Sequence, residues 1–139
     1  MRVAFVGIGA MGEPMALNLL QKGFEVSVLQ HRRKEPAERL QAHGARVCTS
    51  VAEAVAACEI AVLSLPGSRE VEAVVAGPEG ILAAAAAGSI VLDCSTSAPE
   101  STRGLGARLA RRDIGLVDAG MTRGVAAGKQ GKLPSLLGG

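Results

Sequence analysis

Aromatic side chains are almost missing: the chain holds Phe5 and Phe24 and no tryptophan or tyrosine. A single-stranded nucleic-acid platform needs aromatic faces on which successive bases stack, so that class of function is excluded. Charge of one sign is lacking too. With 15 basic and 13 acidic side chains the formal net charge is +2, which gives no general attraction for a polyanion and makes any anion site a local matter. Cysteine is scarce. Cys48, Cys58 and Cys94 are an odd set without C-x-x-C spacing, so neither a disulfide framework nor a zinc knuckle is expected, and reduced, buried thiols are. The only histidines, His31 and His43, and the lack of a G-x-S-x-G segment argue against a hydrolase triad and a metal site. Long apolar runs are absent as well. No segment reaches membrane-spanning length, and Val3 to Val6 is too short for the apolar region of a signal peptide, so a cytoplasmic protein is expected.

What is present fits one folded domain over residues 1–139, with 48% hydrophobic and 20% charged residues and enough chain to bury a core. Short β-branched and apolar runs recur at Val3 to Val6, Val26 to Leu29, Ile60 to Leu65, Ile90 to Leu92 and Leu116-Val117. Helical patterns lie between them. Met15, Ala16, Leu19 and Leu20 are spaced for a helix that Gly23 would stop, and Glu35 to His43 reads as a helix closed by Gly44. Val51 to Ala57, the segment carrying Val71, Val74 and Val75, Ile81 to Ala87 and Pro99 to Arg112 follow as further helices. Continuous apolar strands separated by helices predict an α/β fold: a doubly wound, mainly parallel sheet with helices on both faces. Pro134 falls in the last expected strand, where it fits only an edge or a bulge.

Gly7-Ile8-Gly9-Ala10-Met11-Gly12 comes directly after the first strand and opens the first helix. This is the context in which G-x-G-x-x-G binds a dinucleotide of the Rossmann type. The first glycine permits the tight turn, the second lets backbone approach a pyrophosphate, and the third allows close helix-to-strand packing. Free amides and the dipole at the helix start favour the negative charge. At the end of the second strand the sequence is Gln30-His31-Arg32-Arg33-Lys34, with no acid before Glu35. An acid near this position would hold the ribose 2′-hydroxyl of NAD, whereas positive charge accommodates the 2′-phosphate of NADP. NADP is therefore the expected cofactor, with NAD still open. Arg32 leads the candidates for that contact, followed by Arg33 and His31.

These residues together resemble the β-hydroxyacid dehydrogenase family, which includes 3-hydroxyisobutyrate dehydrogenase and tartronate semialdehyde reductase. The likeness runs from the extended glycine motif, Val3 to Leu20, through Leu65-Pro66 and Asp93-Cys94-Ser95-Thr96, to Gly138-Gly139. It implies that Leu65 and Pro66 line the cofactor, that Thr96 lies beside its nicotinamide end, and that a small hydroxy acid is the substrate. The family's substrate-side segment, Asp-Ala-Pro-Val-Ser-Gly-Gly, stands here as Asp118-Ala119-Gly120-Met121-Thr122-Arg123-Gly124. The resemblance thus gives Thr122 and Gly124 the catalytic-loop positions, while Arg123 and Gly120 depart from the pattern.

In the family an all-helical second domain follows this point and carries the lysine that moves the substrate proton. It is expected to be absent here, and Lys129 and Lys132 are not assigned that role. Three alternatives stay open: the cofactor domain of an oxidoreductase, either truncated or completed by another polypeptide, a stand-alone dinucleotide-binding module without catalysis, and a phosphogluconate- or imine-reducing relative. A homo-oligomer also stays open. No nucleic acid or membrane is expected as a partner.

Overall fold

The computed structural model describes residues 1–121 and the strand at 135–138. The order is β1 (Arg2–Val6), α1 (Gly12–Gln21), β2 (Glu25–Leu29), α2 (Glu35–Ala42), β3 (Arg46–Cys48), α3 (Val51–Val55) and β4 (Ile60–Leu63), then α4 (Ser68–Ala76), α5 (Ile81–Ala84), β5 (Ile90–Asp93), α6 (Pro99–Ala110), β6 (Gly115–Met121) and β7 (Ser135–Gly138). The strands form one sheet in the order β3-β2-β1-β4-β5-β6-β7. All pairings are parallel except β6 with β7, which is antiparallel. The expected doubly wound architecture is therefore present.

Alternation along the strands separates two cores. On β1, Ala4 and Val6 join β4 residues Ala61 and Leu63 in a cluster with Val55, Val71, Val75, Ile81, Leu105 and Leu109 from α3 to α6. Val3 and Phe5 face the other way, onto Ala16 of α1 and Ala37 and Leu40 of α2. Successive strand side chains point to opposite faces, so one short apolar run supplies both layers. Burying a Leu- or Phe-sized side chain is worth about 1.5–3 kcal/mol, and Phe5, Leu40, Leu63, Ile81 and Leu109 are all fully buried.

Several boundaries differ from the sequence expectation. The strand from Ile60 ends at Leu63 rather than Leu65, because the Leu65 amide leaves the ladder to donate to Ser95 Oγ at 2.8 Å. The alanine-rich helix stops at Ala84, not Ala87: Ala85 is extended at φ −75°, ψ 147° and buried. Helix propensity yields there to the turn into β5, where the Gly88 amide bonds Asp113 O and the Gly115 amide bonds Ser89 O. Helices α2 and α3 end one and two residues early, at Ala42 and Val55. β3 was not anticipated, since three residues carry no readable period. Pro134 lies outside the described residues, and β7 begins at Ser135.

Candidate functional site

The parallel strands end on a common edge, and β1 is flanked there by β2 on one side and β4 on the other. The chain leaves β1 towards α1 and α2 on one face and later returns through β4 to α4 on the opposite face, which opens a crevice at the carboxyl ends of β1 and β4. In open α/β sheets ligands bind at such a switch point.

The glycine turn closes against backbone at two positions and stands open at one. Gly7 has φ +95°, and a Cβ placed on it would stand 2.1 Å from Ser64 O. A Cβ on Gly12 would lie 1.7 Å from Gly7 O. Around Gly9 nothing comes within 4 Å of that point. The outer glycines therefore let the turn, β4 and α1 pack together, while the middle one leaves clear space in front of the backbone. Helix α1 starts behind that space with Met11 as its N-cap and no side-chain capping hydrogen bond. In its first turn the Glu13 amide bonds Gly9 O at 3.0 Å and Pro14 has no N–H, so the Met11 and Gly12 amides are the ones that a helix start leaves for a ligand. Among the motif residues Ile8 differs, its side chain being buried in the core, so only its backbone faces the turn.

The second loop at this edge follows β2, where the Gln30 amide bonds Cys48 O at 2.9 Å. His31, Arg32, Arg33 and Lys34 are all exposed. Helix α2 then begins with Lys34 as an uncapped N-cap. An open hollow of about 600 Å³ lies alongside, lined by Leu29, Gln30 and His31 with Thr49, Ser50, Ala73 and Glu79 among others.

Two further loops, after β4 and β5, are laced together. Asp93, 1% exposed, accepts from the Ser95 amide at 2.9 Å and from Ser97 Oγ at 3.2 Å. Ser95 Oγ accepts from the Leu65 amide, and Ser68 Oγ accepts from the Ala98 amide at 2.7 Å. Leu65-Pro66 and Thr96 are thereby held in adjacent loops, with Thr96 exposed. Cys94 sits beneath them beside Asp93 and Asp118; burial first, then those two carboxylates, push its thiol up to about 12. The other two cysteines are also buried and free.

Sequence reasoning quoted Asp93 and Ser95 only as part of a motif and gave them no work. An Asp followed two residues later by an amide it can accept from, at the end of a strand, was the available signal. It also missed the fork between Arg39 on α2 and Glu13 in the first turn of α1, with Nε to Oε2 at 2.6 Å and Nη2 to Oε1 at 2.7 Å. The structure brings Gly7 to Gly12, Leu65-Pro66 and the turn after β2 to one edge of the sheet. Thr122 and Gly124, like Arg123, Lys129 and Lys132, lie outside the described residues.

The geometry suits a dinucleotide, and comparison with known proteins agrees. The family described as the NAD binding domain of 6-phosphogluconate dehydrogenase matches residues 2–139. The chain belongs to that family. This NAD-binding domain is 36% identical over 138 residues to the NAD-dependent L-serine dehydrogenase of Pseudomonas aeruginosa, covering 99% of the chain and 46% of that protein. Among solved structures, the Mycobacterium tuberculosis 3-hydroxyisobutyrate dehydrogenase with L-serine is 30% identical with a TM-score of 0.87, over 99% of this chain and 46% of that one. Psf3 in complex with NADP+ and 2-OPP is 30% identical with a TM-score of 0.90, over 97% and 48%. The likeness to hydroxyacid dehydrogenases read from the sequence is thus borne out, and the chain spans about half the length of the relatives it matches. No helix among the described residues is long and apolar enough to cross a membrane.

Proposed function

We propose that residues 1–139 are the NADP(H)-binding domain of an oxidoreductase acting on a small 3-hydroxy acid and its aldehyde or keto form. The observation that carries this reading is the contrast within the glycine turn: backbone fills the space at Gly7 and Gly12, and none approaches Gly9, in front of an uncapped helix start. A diphosphate takes its hydrogen bonds from those amides, and a side chain at position 9 would stand in its way. Bound there, the nicotinamide supplies the hydride chemistry, and the protein contributes position and electrostatics.

Each loop has a separate task. Arg32, with Arg33 and His31, meets the 2′-phosphate; the exposed cations Arg32, Arg33 and Lys34, with no acid before α2, support NADP over NAD. The relative from Pseudomonas aeruginosa is named for NAD and Psf3 was solved with NADP+, so both forms occur among similar proteins. Leu65 and Pro66 line the cofactor, and Thr96 stands at its nicotinamide end, held by the Asp93 and Ser95 bonds. Thr122 and Gly124 take the catalytic-loop role that the family resemblance assigns them. The group that moves the substrate proton belongs to the part of the relatives that this chain does not span, so these residues alone bind cofactor without sustained turnover. Buried free thiols accord with a cytoplasmic protein.

The test is calorimetric titration with NADPH and NADH, repeated on Arg32→Ala. NADPH is expected to bind tighter, and the substitution to erase the difference. Equal affinity for both nucleotides in both proteins would overturn the NADP assignment, and no binding of either would overturn the whole reading. Steady oxidation of a small 3-hydroxy acid by this chain alone would refute the division of labour.

A further inference from the structure

The fork between Glu13 and Arg39 joins the helix that starts behind the glycine turn to the helix that follows the basic turn. Both carboxylate oxygens are engaged, each by a different nitrogen of one guanidinium. Glu13 occupies the first turn of α1, where the helix dipole and free amides attract any carboxylate. The Met11 and Gly12 amides are the ones a diphosphate needs, since the Glu13 amide bonds Gly9 O and Pro14 has none, so on the dinucleotide-binding reading a Glu13 carboxylate turned towards them is both a competitor and a like charge. Arg39 is in a position to prevent this. It sits on α2, whose Ala37 and Leu40 are fully buried, so its backbone is anchored to the core although its side chain is 57% exposed. The Glu13 hydrogen bond comes first, among other contributions, in raising the pKa of Arg39, and the guanidinium stays charged across the working pH range.

We infer that Arg39 is a positioning residue that draws the Glu13 carboxylate towards α2 and offsets its charge, keeping the amino end of α1 available to the diphosphate of the cofactor. This rests on the reading of the crevice as a dinucleotide site and adds to it a residue that no motif contains. It makes a prediction with an asymmetric sign. Removing the cation exposes the diphosphate to the carboxylate, whereas removing the carboxylate leaves nothing to restrain. A mere strap between two helices would suffer equally from either loss.

The experiment measures the affinity of the full chain for NADPH and for NADH by calorimetry in Arg39→Gln, Glu13→Gln and the double variant, with thermal melting of each nucleotide-free protein. Arg39→Gln is expected to weaken both nucleotides alike, about threefold to fivefold, the size of a first-turn charge acting on a helix dipole at low salt. Glu13→Gln is expected to bind at least as tightly as the parent, and the double variant to recover the parent's affinity. Three results overturn the inference: no change in Arg39→Gln, equal weakening by both single substitutions, or weakening confined to NADPH. The last would make Arg39 a contact of the 2′-phosphate. Failure of the parent protein itself to bind either nucleotide would instead refute the dinucleotide reading on which the inference stands.

Discussion

The two turns that flank the crevice are built on opposite terms. Between Val6 and α1 there is no room: two of the three glycines would drive a side chain into backbone. Between Leu29 and α2 nothing is packed: His31, Arg32, Arg33 and Lys34 are exposed, and among the described residues no salt bridge holds them. The first turn is specified by shape and the second by charge. A close-packed backbone tolerates no added atoms, whereas an exposed cation can be exchanged with little effect on the fold. On the function proposed above, whether a dinucleotide binds is set at the first turn, and which dinucleotide at the second.

Gly12→Ala tests the shape half of that contrast most severely. Its Cβ would meet Gly7 O at 1.7 Å, and backbone cannot step aside as a flexible side chain can. A loss of about 3 kcal/mol in urea melts is expected, the upper end of the overpacking range, together with loss of nucleotide binding. Gly9→Ala is the control: its melting should stay within about 0.5 kcal/mol of the parent while nucleotide binding weakens. Similar melting of the two variants would break the distinction between closed and open glycines.

Asp93→Ala extends the comparison to the laced loops. It leaves the Ser95 amide and the Ser97 hydroxyl without their acceptor in a buried setting, at an expected cost of about 1–2 kcal/mol. Stability unchanged by this substitution would show that the loops are held by packing alone. At the charged turn the effect moves from stability to selectivity. Arg32→Ala should weaken NADPH about tenfold, as loss of one charged hydrogen bond does, and leave NADH and the melting temperature unaltered. A drop in stability there would mean that the turn is packed after all.

The last effect appears only in alkali. Cys94 is held at about 12 against an ordinary 9.0, and burial raises Cys48 and Cys58 as well. A thiol whose folded value lies above its unfolded one contributes stability below about pH 9 that is lost as pH rises towards 12. With no tyrosine in the chain, one common alkaline titration is missing from the background. Denaturant midpoints should fall across that window, and Cys94→Ala should flatten the slope. An unchanged slope in the variant would sink the assignment to Cys94.

Legibility from sequence followed the same division between shape and charge. β1, β2, β4 and β5 could be found because each carries an apolar or β-branched run long enough to see, and β1 and β4 are buried on both faces. β3 could not, because its three residues borrow their order from pairing with β2. The length of α5 was misjudged for a related reason: an alanine run favours a helix locally, but alanines bring little surface to hold a further turn against the sheet. At the site, Gly7, Gly9 and Gly12 were legible as a motif, yet their different surroundings were not. The Glu13 to Arg39 fork spans 26 residues, and no local spacing rule reaches that far.

By itself the sequence determined that two faces of one sheet must be covered, that a glycine turn opens the first helix, and that cations follow the second strand. Those properties are local, written in the period of apolar residues and in the presence or absence of a side chain. Only the tertiary structure decided that β4 stands beside β1 to make the crevice, that Asp93 and Ser95 brace the loops beside it, and that Glu13 is held by α2. Such contacts depend on which distant segments the buried core brings together, and a linear pattern does not encode that distance.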